Sequence, residues 1–267
     1  MSGIKAVIFD WAGTLVDYGS RAPMGAFVET FAEFGVVLTI PEARGPMGMA
    51  KRPHIAALCA LPRLRAAWAV RYGVAPGEAD IDALYEMFVP KNIAVAAAYA
   101  DAIPGAAETL AALKARGIKI GSSTGYTREI MAKILPRAKE QGIWPDSLVC
   151  TGDTPDGRPS PLMFWRGLIE MNVWPASSAV KVDDTIVGVE EGINAGAWSV
   201  GVAVSGNCFG ASLEELRAMP APEFARRREA AYAALKGAGA HYVVDSVAEL
   251  LPVIGEIEER LARGEGP

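Results

Sequence analysis

The sequence contains little cysteine, the residue that is frequent in secreted proteins with disulfides and in zinc-binding domains. It has 3 cysteines among 267 residues. They are odd in number, far apart in the chain and without CxxC or zinc-type spacing: Cys59, Cys150 and Cys208. This usage argues against a disulfide framework and for a reducing compartment, with the cysteines serving as small buried hydrophobes.

Positive charge and long apolar runs are scarce as well. The chain has 26 Lys and Arg against 31 Asp and Glu, a net charge of -5. Its surface as a whole therefore does not suit a polyanion, and we expect no nucleic-acid partner, although a local basic pocket for one small anion is compatible with this balance. No apolar run approaches the roughly 20 residues needed to span a bilayer, and the first predicted strand starts too near Met1 for a signal peptide. These absences predict a cytoplasmic protein without a membrane partner.

What the chain does have is a series of apolar runs that end in polar residues, as buried parallel strands do at the ligand-binding edge of an open α/β sheet. The runs are Lys5–Asp10, Gly117–Gly125, Ser147–Thr151, Ala179–Thr185, Ala197–Val204 and His241–Asp245. Helical patterns separate the later runs, at Ala106–Ala115, Thr127–Gln141, Pro161–Met171 and Val187–Ala195. This alternation predicts a doubly wound, mostly parallel, Rossmann-like α/β sheet.

The interval from about residue 18 to residue 100 breaks the alternation, with helical segments and no convincing strand. The segments lie near Pro23–Phe34, Pro53–Leu61, Ala66–Tyr72 and Ile81–Phe88. We interpret this interval as an α-helical cap domain inserted after the first strand. The predicted division assigns residues 1–19 and 101–267 to the α/β core and residues 20–100 to the cap.

Several short motifs are spread along the predicted core and the helical interval: Phe9–Thr14, Asp17–Gly19, Pro46–Gly48 with Lys51 and His54, Thr124–Glu129, Gly157–Pro159, Lys181–Thr185 and Glu191–Gly196. Together they resemble the haloacid dehalogenase-like hydrolases, and among them the members that cleave carbon–phosphorus bonds. The first motif alone would identify only the superfamily. Ala12 together with Lys51 is more specific, because this pair separates the carbon–phosphorus hydrolases from their ester-cleaving relatives.

Asp10 closes the first apolar run and precedes a glycine-containing turn, so it is expected to face the ligand. The resemblance implies that its carboxylate attacks phosphorus and forms an aspartyl phosphate. The alternative, a turn or cap aspartate, is outweighed by the matching motifs. Many relatives carry a second acid at position 12 to protonate an oxygen leaving group, whereas this chain has Ala12. The chemistry is therefore not expected to release an alcohol.

Lys51 is the predicted electron sink for the reaction that the resemblance implies, hydrolysis of phosphonoacetaldehyde to acetaldehyde and phosphate. Direct cleavage would expel a carbanion, but an imine formed between a lysine amine and the aldehyde accepts those electrons as an enamine. Pro53 predicts a helix start near Ala50–Pro53, which places Lys51 at the positive end of the dipole and lowers its pKa. The alternative is a solvated lysine at a helix start.

Magnesium is the predicted cofactor, held by the Asp10 carboxylate, the Ala12 backbone carbonyl and Asp184. Because neighbouring strand residues point to opposite sides, one of Asp183 and Asp184 meets the metal and the other caps the next helix or braces the site. The resemblance favours Asp184 as the ligand. Many members carry a further acid where this chain has Gly188, and Asp183 stands where glycine is frequent, which leaves the outer metal shell open.

Three core residues are predicted to bind the phosphoryl group. Thr124 resembles the family's hydrogen-bonding Ser or Thr, and its alternative is a helix N-cap. Gly125 allows close backbone approach. Arg158 stands in a Gly-Arg-Pro turn where relatives hold the phosphoryl group with a cation, and its guanidinium suits bidentate contact. The alternative for Arg158 is a solvated loop arginine.

The remaining predicted site residues are Met47, Gly48, His54 and Tyr126. The resemblance brings Met47 and Gly48 against the substrate and Tyr126 beside the lysine, and Tyr126 is otherwise packing surface. His54 lies three residues after Lys51, so it is placed to move protons, with a structural histidine as the alternative. Closure of the cap is expected to bring Lys51 to Asp10.

Two other functions stay open. A magnesium-dependent phosphomonoesterase of the same fold would need an acid that Ala12 does not supply, although a cap residue is an alternative source. A non-catalytic phosphate-binding protein would tolerate Ala12 but gives no reason to keep Asp10, Arg158 and Lys51 together. The resemblance further implies a small phosphonate substrate and a homodimer that forms through the cap.

Overall fold

Six parallel strands form one sheet at the centre of the protein, in a computed structural model that describes residues 3–267. Their order across the sheet is β3-β2-β1-β4-β5-β6. The strands are β1 (Ala6–Phe9), β2 (Lys119–Thr124), β3 (Ser147–Cys150), β4 (Ala179–Asp183), β5 (Trp198–Val202) and β6 (Tyr242–Val244). Each strand lies inside one of the predicted apolar runs, and the predicted doubly wound parallel sheet is confirmed.

The helices that follow the strands cover the two faces of this sheet. They are α6 (Ala106–Ala115), α7 (Arg128–Glu140), α8 (Leu162–Glu170), α9 (Ile186–Asn194), α10 (Leu213–Ala218), α11 (Ala221–Gly237) and α12 (Leu250–Ala262). The predicted patterns account for α6 to α9, whereas α10 to α12 were not among the predicted helices. Across residues 3–267, the structure contains no helix with the length and apolar character that a membrane crossing requires.

Five helices form an insertion that follows β1 and precedes α6. They are α1 (Ala22–Glu33), α2 (Ile40–Arg44), α3 (Lys51–Ala60), α4 (Pro62–Tyr72) and α5 (Glu78–Ala96). These helices enclose an apolar cluster of their own, in which the rings of Phe27 and Phe88 stack with centroids 4.2 Å apart. Because they bury this cluster separately from the one beneath the sheet, the insertion packs as a distinct layer above the carboxyl ends of the strands.

Helix α4 begins at Pro62, four residues before the predicted segment, and two further details of the insertion differ from the prediction. The short helix α2 was missed, because its signal is a capping box formed by Thr39 and Glu42 rather than a periodic apolar face. Helix α5 is longer than predicted and runs through Pro90, where a proline removes one hydrogen-bond donor. Packing of α5 against α1, α3 and α7 overrides that local signal.

The strand order determines where a site can form. The chain runs from β1 outward through β2 and β3, then returns to place β4 on the other side of β1. Phe9 is in register with Ser122 of β2 and with Val182 of β4. The residues that follow these three positions therefore meet at one edge, at the topological switch point where ligands of such sheets bind.

Candidate active site

A pocket lies at this switch point, between the sheet edge and the inserted helices. Its lining consists of Asp10, Ala12, Ser20, Met47, Gly48, Lys51, Thr124, Gly125, Tyr126, Arg158 and Thr185. The structure therefore brings together all predicted site residues except His54 and Asp184. Two further lining residues had no predicted role: Thr185, which ends one of the sequence motifs, and Ser20, which directly follows another.

The inserted helices meet the sheet through two glycines. Gly48 has φ +92°, and a Cβ atom there would lie 2.3 Å from Oγ1 of Thr185. A Cβ atom on Gly125 would lie 2.9 Å from the carbonyl oxygen of Met49 and 3.0 Å from that of Gly48. The close backbone approach predicted at Gly125 is thus an approach of the insertion itself, which closes over the pocket.

Asp10 is paired with Arg158 at the base of the pocket. The closest guanidinium nitrogen lies 2.8 Å from Oδ1 of Asp10, and the Arg158 side chain is only 1% exposed. Burial raises the pKa of Asp10, while the charge of Arg158 acts against that rise. Arg158 also lies 3.2 Å from a carboxylate oxygen of Asp183 and 3.2 Å from one of Glu191. A solvated loop arginine does not describe this residue.

Behind Arg158 lies a buried ionic network that the sequence analysis did not assign. Nζ of Lys181 lies 2.7 Å from Oγ of Ser123, 3.0 Å from Asp183 and 2.9 Å from Glu191. Lys181 and Glu191 are fully buried. The sequence did contain one sign of this network, the lysine at position 181 in the middle of an apolar strand. A buried charge at such a position needs an opposite charge beside it.

The carboxylates of Asp10, Asp183 and Asp184 each offer an oxygen atom within 4.8 Å of the others. Asp183 is already bound: its Oδ1 accepts hydrogen bonds from the Thr185 backbone N–H at 3.0 Å and the Thr185 hydroxyl at 2.7 Å. Although burial opposes it, the charges of Arg158 and Lys181 lower the pKa of Asp183. Asp183 therefore braces the cluster.

The pKa of Asp184 is shifted in the opposite direction to that of Asp183. Burial of Asp184, together with the neighbouring charges of Asp10 and Asp183, raises its pKa well above the usual range. It accepts hydrogen bonds from the Asn207 backbone N–H at 2.7 Å and from the Thr14 hydroxyl at 3.3 Å. The carboxylates of Asp10, Asp183 and Asp184 are buried close together, and their negative charges repel one another. A divalent cation that prefers oxygen ligands fits this cluster, because its charge would remove the repulsion.

The geometry at Gly188 explains why glycine stands at this position. A Cβ atom on Gly188 would lie 1.9 to 2.1 Å from the carboxylate atoms of Asp183. The Asp183 carboxylate thus occupies the space into which a side chain at position 188 would project. Asp183 and Gly188, the two departures from the family's pattern, are therefore sterically linked.

Lys51 is the first residue of α3, as the predicted helix start required. Its side chain is buried, with Nζ 5.2 Å from the ring centre of Tyr126 and 5.8 Å from that of Phe27. Burial lowers the pKa of Lys51 to about 8, with Arg158 adding to this effect and Asp10 opposing it. The alternative of a solvated lysine does not fit this environment, and an appreciable fraction of the amine is unprotonated near neutral pH.

His54 is separate from the pocket. It is fully buried, its ring stacks on Phe27 with centroids 4.1 Å apart, and its Nε2 donates to the Ala43 carbonyl at 2.9 Å. Burial and then the charge of Lys51 lower the pKa of His54 to about 3, so the ring is neutral. Its role in proton transfer stays a prediction.

The alternative interpretation of Thr124 as a helix cap is wrong. Helix α7 is capped by Thr127, whose side chain accepts the Ile130 backbone N–H. Thr124 ends β2, lines the pocket and accepts the Tyr126 backbone N–H at 3.1 Å. Its hydroxyl hydrogen is therefore free to be donated into the pocket.

Comparison with known proteins decides the family. A family model described as haloacid dehalogenase-like hydrolase matches residues 4–196. The chain belongs to the haloacid dehalogenase-like hydrolases. This hydrolase is 67% identical to the phosphonoacetaldehyde hydrolase of Paraburkholderia phytofirmans over the full length of both chains. It is 49% identical to the phosphonoacetaldehyde hydrolase of Klebsiella pneumoniae, again with 100% of each chain covered.

A solved structure agrees with these relatives. The crystal structure of a phosphonoacetaldehyde hydrolase-like protein from Oleispira antarctica superposes with a TM-score of 0.98 at 44% identity. The match covers 100% of this hydrolase and 97% of that chain. The resemblance that the sequence motifs indicated is confirmed.

Proposed function

We propose that this hydrolase cleaves the carbon–phosphorus bond of phosphonoacetaldehyde and releases acetaldehyde and phosphate. The observation that carries the proposal is the burial of Lys51, with its pKa lowered to about 8, in the same pocket as Asp10. Ala12 lines that pocket without supplying an acid for an oxygen leaving group. The similarity to phosphonoacetaldehyde hydrolases over the full chain supports the same substrate.

The reaction begins at the aldehyde. The unprotonated Nζ of Lys51 attacks the carbonyl carbon, water leaves, and the resulting protonated imine withdraws electrons from the adjacent carbon. The carboxylate of Asp10 then attacks phosphorus, and the electron pair of the carbon–phosphorus bond passes to the imine nitrogen as an enamine forms. Protonation of the enamine at carbon and hydrolysis release acetaldehyde and Lys51. Water hydrolyses the phosphoryl group from Asp10.

The pocket lining supports distinct roles for its polar groups. Arg158, already 2.8 Å from Asp10, is placed to hold phosphoryl oxygens beside the attacking carboxylate, and Thr124 is placed to donate its hydroxyl to another oxygen. The ring of Tyr126 positions Lys51. Met47 and Gly48 face the substrate from the insertion, and Gly125 lets the two backbones approach.

Magnesium is the proposed metal, with the Asp10 carboxylate, the Ala12 carbonyl and Asp184 as its protein ligands. Bound there, it neutralises the repulsion between a carboxylate nucleophile and an anionic phosphonate. Asp183 keeps Arg158 and Lys181 oriented around these ligands. This assignment gives each member of the aspartate cluster one role.

The same proposal divides the chain into a core of residues 1–19 and 101–267 and a cap of residues 20–100. Asp10 and Lys51 are 6% and 4% exposed, so the structure corresponds to a closed cap that must open to admit substrate. We include a homodimer formed through the cap and a cytoplasmic location.

The test compares the wild type with Lys51→Arg and Lys91→Arg. Lys91 belongs to α5 of the cap and pairs with Glu33 at 2.6 Å, so its variant controls for the same substitution away from the pocket. Phosphate and acetaldehyde release are measured with phosphonoacetaldehyde and Mg²⁺, and the imine is trapped with borohydride and located by mass spectrometry. We expect equimolar products and a trapped adduct for the wild type and Lys91→Arg, and neither for Lys51→Arg.

Two results would overturn the proposal. Turnover by Lys51→Arg would show that the reaction does not need an imine. Rapid hydrolysis of simple phosphate monoesters, with none of the phosphonate, would favour the phosphomonoesterase alternative instead.

A further inference from the structure

Arg44, the last residue of α2 in the cap, bonds to the core through most of its guanidinium group. One terminal nitrogen donates to the Gly19 carbonyl at 2.9 Å and to Oδ1 of Asn207 at 3.0 Å. The other donates to the Gly210 carbonyl at 3.1 Å. Gly19 lies at the junction of core and cap, whereas Asn207 and Gly210 belong to the core loop that follows β5.

The contact between Arg44 and Asn207 is reciprocal. Nδ2 of Asn207 donates back to the Arg44 carbonyl oxygen at 3.2 Å. The backbone N–H of the same asparagine donates to Oδ2 of Asp184 at 2.7 Å. A single residue of the core loop therefore bonds to the cap with its side chain and to the aspartate cluster with its backbone.

The loop is shaped to fit both neighbours. Gly210 has φ +68°, and a Cβ atom there would lie 2.8 Å from Cζ of Arg44. A Cβ atom on Gly206 would lie 2.4 Å from Cβ of Asp184. Side chains at these two positions would push the loop away from the arginine at one end and from the aspartate at the other.

Other cap arginines differ from Arg44 in where they bond. Arg63 pairs with Glu42 and donates to the Val37 carbonyl, all within the cap. Arg21 does cross to the core, but its pair with Glu215 is largely exposed, and exposed pairs contribute little. Arg44 thus combines a crossing to the core with partial burial and several acceptors.

We propose that Arg44 is a positioning residue that couples closure of the cap to the orientation of Asp184 through Asn207. The proposal rests on the proposed function, since it assigns Asp184 to the metal site and the cap to closure. Opening of the cap breaks the Arg44 contacts with Asn207 and Gly210 and releases the loop that holds Oδ2 of Asp184. Because coupling between two equilibria is reciprocal, metal binding at Asp184 in turn favours the closed cap.

The experiment measures metal binding and cap closure without turnover. Arg44→Gln is compared with Arg63→Gln, which removes the same charge from the cap but contacts no core residue among those the structure describes. Mg²⁺ affinity is measured by calorimetry, and amide exchange of residues 47–51 is followed with and without Mg²⁺. We expect Arg44→Gln to bind Mg²⁺ about tenfold more weakly, a typical loss when a group that orients a metal ligand is removed. Its exchange should be faster, and Mg²⁺ should slow it less than in the wild type.

A second variant keeps the proposal open to refutation if Arg44→Gln fails to fold. Asn207→Ser removes the side-chain contact with Arg44 but keeps the backbone N–H that bonds to Asp184. By itself Asn207→Ser should weaken Mg²⁺ binding and speed exchange of residues 47–51 in the direction expected for Arg44→Gln, and wild-type behaviour would overturn the coupling. Where both single variants fold, the double variant should lose no more affinity than the weaker-binding single variant. Additive losses, or wild-type affinity and exchange in Arg44→Gln, would overturn the coupling.

Turnover separates this proposal from the function on which it rests. If the enzyme is active, kcat of Arg44→Gln should be low at limiting Mg²⁺ and recover most of its value at saturating Mg²⁺, which a purely structural defect would not do. If the wild type releases no phosphate from phosphonoacetaldehyde, the proposed function fails, while affinity and exchange still decide whether Arg44 couples the cap to the metal site.

Discussion

The amine of Lys51 lies 5.2 Å from the ring centre of Tyr126, so a residue of the inserted helices faces a residue of the core across the closed pocket. The two positions are 75 residues apart in the chain, and only closure of the insertion over the sheet edge brings them together. This placement buries the amine and lowers its pKa to about 8, which is the property that the proposed chemistry needs.

The first prediction concerns the pH dependence of the reaction. Imine formation requires the unprotonated amine, and the pKa of Lys51 is lowered to about 8. We expect kcat/KM to rise about tenfold per pH unit below this value and to level off above it. His54, whose pKa is lowered to about 3, adds no transition in this range. A steady-state profile with Mg²⁺ held saturating measures this, and a curve still rising through pH 10 would contradict the burial of Lys51.

The second prediction concerns the buried network behind Arg158. Glu191→Gln removes one of the two carboxylates that face Lys181 and leaves a buried cation with less compensation. We expect the free energy of unfolding to fall by about 3 kcal/mol, as when one partner of a buried pair is removed. Urea unfolding measures the loss. Glu190→Gln, at a half-buried neighbouring position, serves as the control, and equal losses in the two variants would contradict the network's importance.

The third prediction concerns Asp17, which lies in the turn that leads from the core into α1. Its Oδ2 accepts the backbone N–H groups of Arg21 and Ala22, each at 2.8 Å. Burial nevertheless raises the pKa of Asp17 from 3.8 to about 6. The folded state therefore favours the protonated form, and the stability associated with this group is present below pH 3.8 and lost as the pH rises through about 6.

The variant Asp17→Asn removes this ionisation while keeping an oxygen acceptor and a residue that tolerates φ 57°. At pH 8 we expect it to exceed the wild type in unfolding free energy by up to about 3 kcal/mol, and at pH 4 by almost nothing. Urea unfolding across this range measures the difference. Asp156→Asn, on an exposed loop, should show no such pH dependence, and a pH-independent effect of Asp17→Asn would refute the raised pKa.

The fourth prediction tests the glycine contact that closes the pocket. Gly125 does not need a positive φ, so Gly125→Ala changes only the space between the core and the backbone of residues 48 and 49. The added methyl group should hold the cap partly open and lower kcat/KM by at least about tenfold, a cost of roughly 1.4 kcal/mol. Borohydride trapping of Lys51 should slow in parallel. Gly25→Ala, where nothing lies within 4 Å of the added atom, should leave both rates unchanged.

Much of the fold was predictable because its signals are local. The strand Ala6–Phe9 is a continuous apolar run, and the helix that begins at Lys51 has a proline in its first turn. The missed helix Ile40–Arg44 has only five residues, too few for an apolar period. Helix Glu78–Ala96 extends beyond the predicted segment Ile81–Phe88 and continues through Pro90, where the local sequence disfavours a helix.

The residues of the candidate site likewise fall into those that the sequence predicted and those that it did not. The chemistry of Asp10, Ala12 and Lys51 was readable from residue types and spacing. The partners Lys181 and Glu191 were not assigned, because no spacing in the chain shows which buried charges meet. Likewise, the sequence left Asp183 and Asp184 to be separated by resemblance, while the structure gives them opposite pKa shifts through different neighbours.

The positions of the six strands in the chain, the family and the lack of an acid at position 12 could be read from the sequence, since each depends on residues that are neighbours in the chain. The burial of Lys51, the pairing of Arg158 with Asp10 and the contact of Arg44 with Asn207 could be seen only in the folded protein. A pKa depends on desolvation and on charges within a few ångströms, and these are set by packing between residues that lie far apart in the sequence.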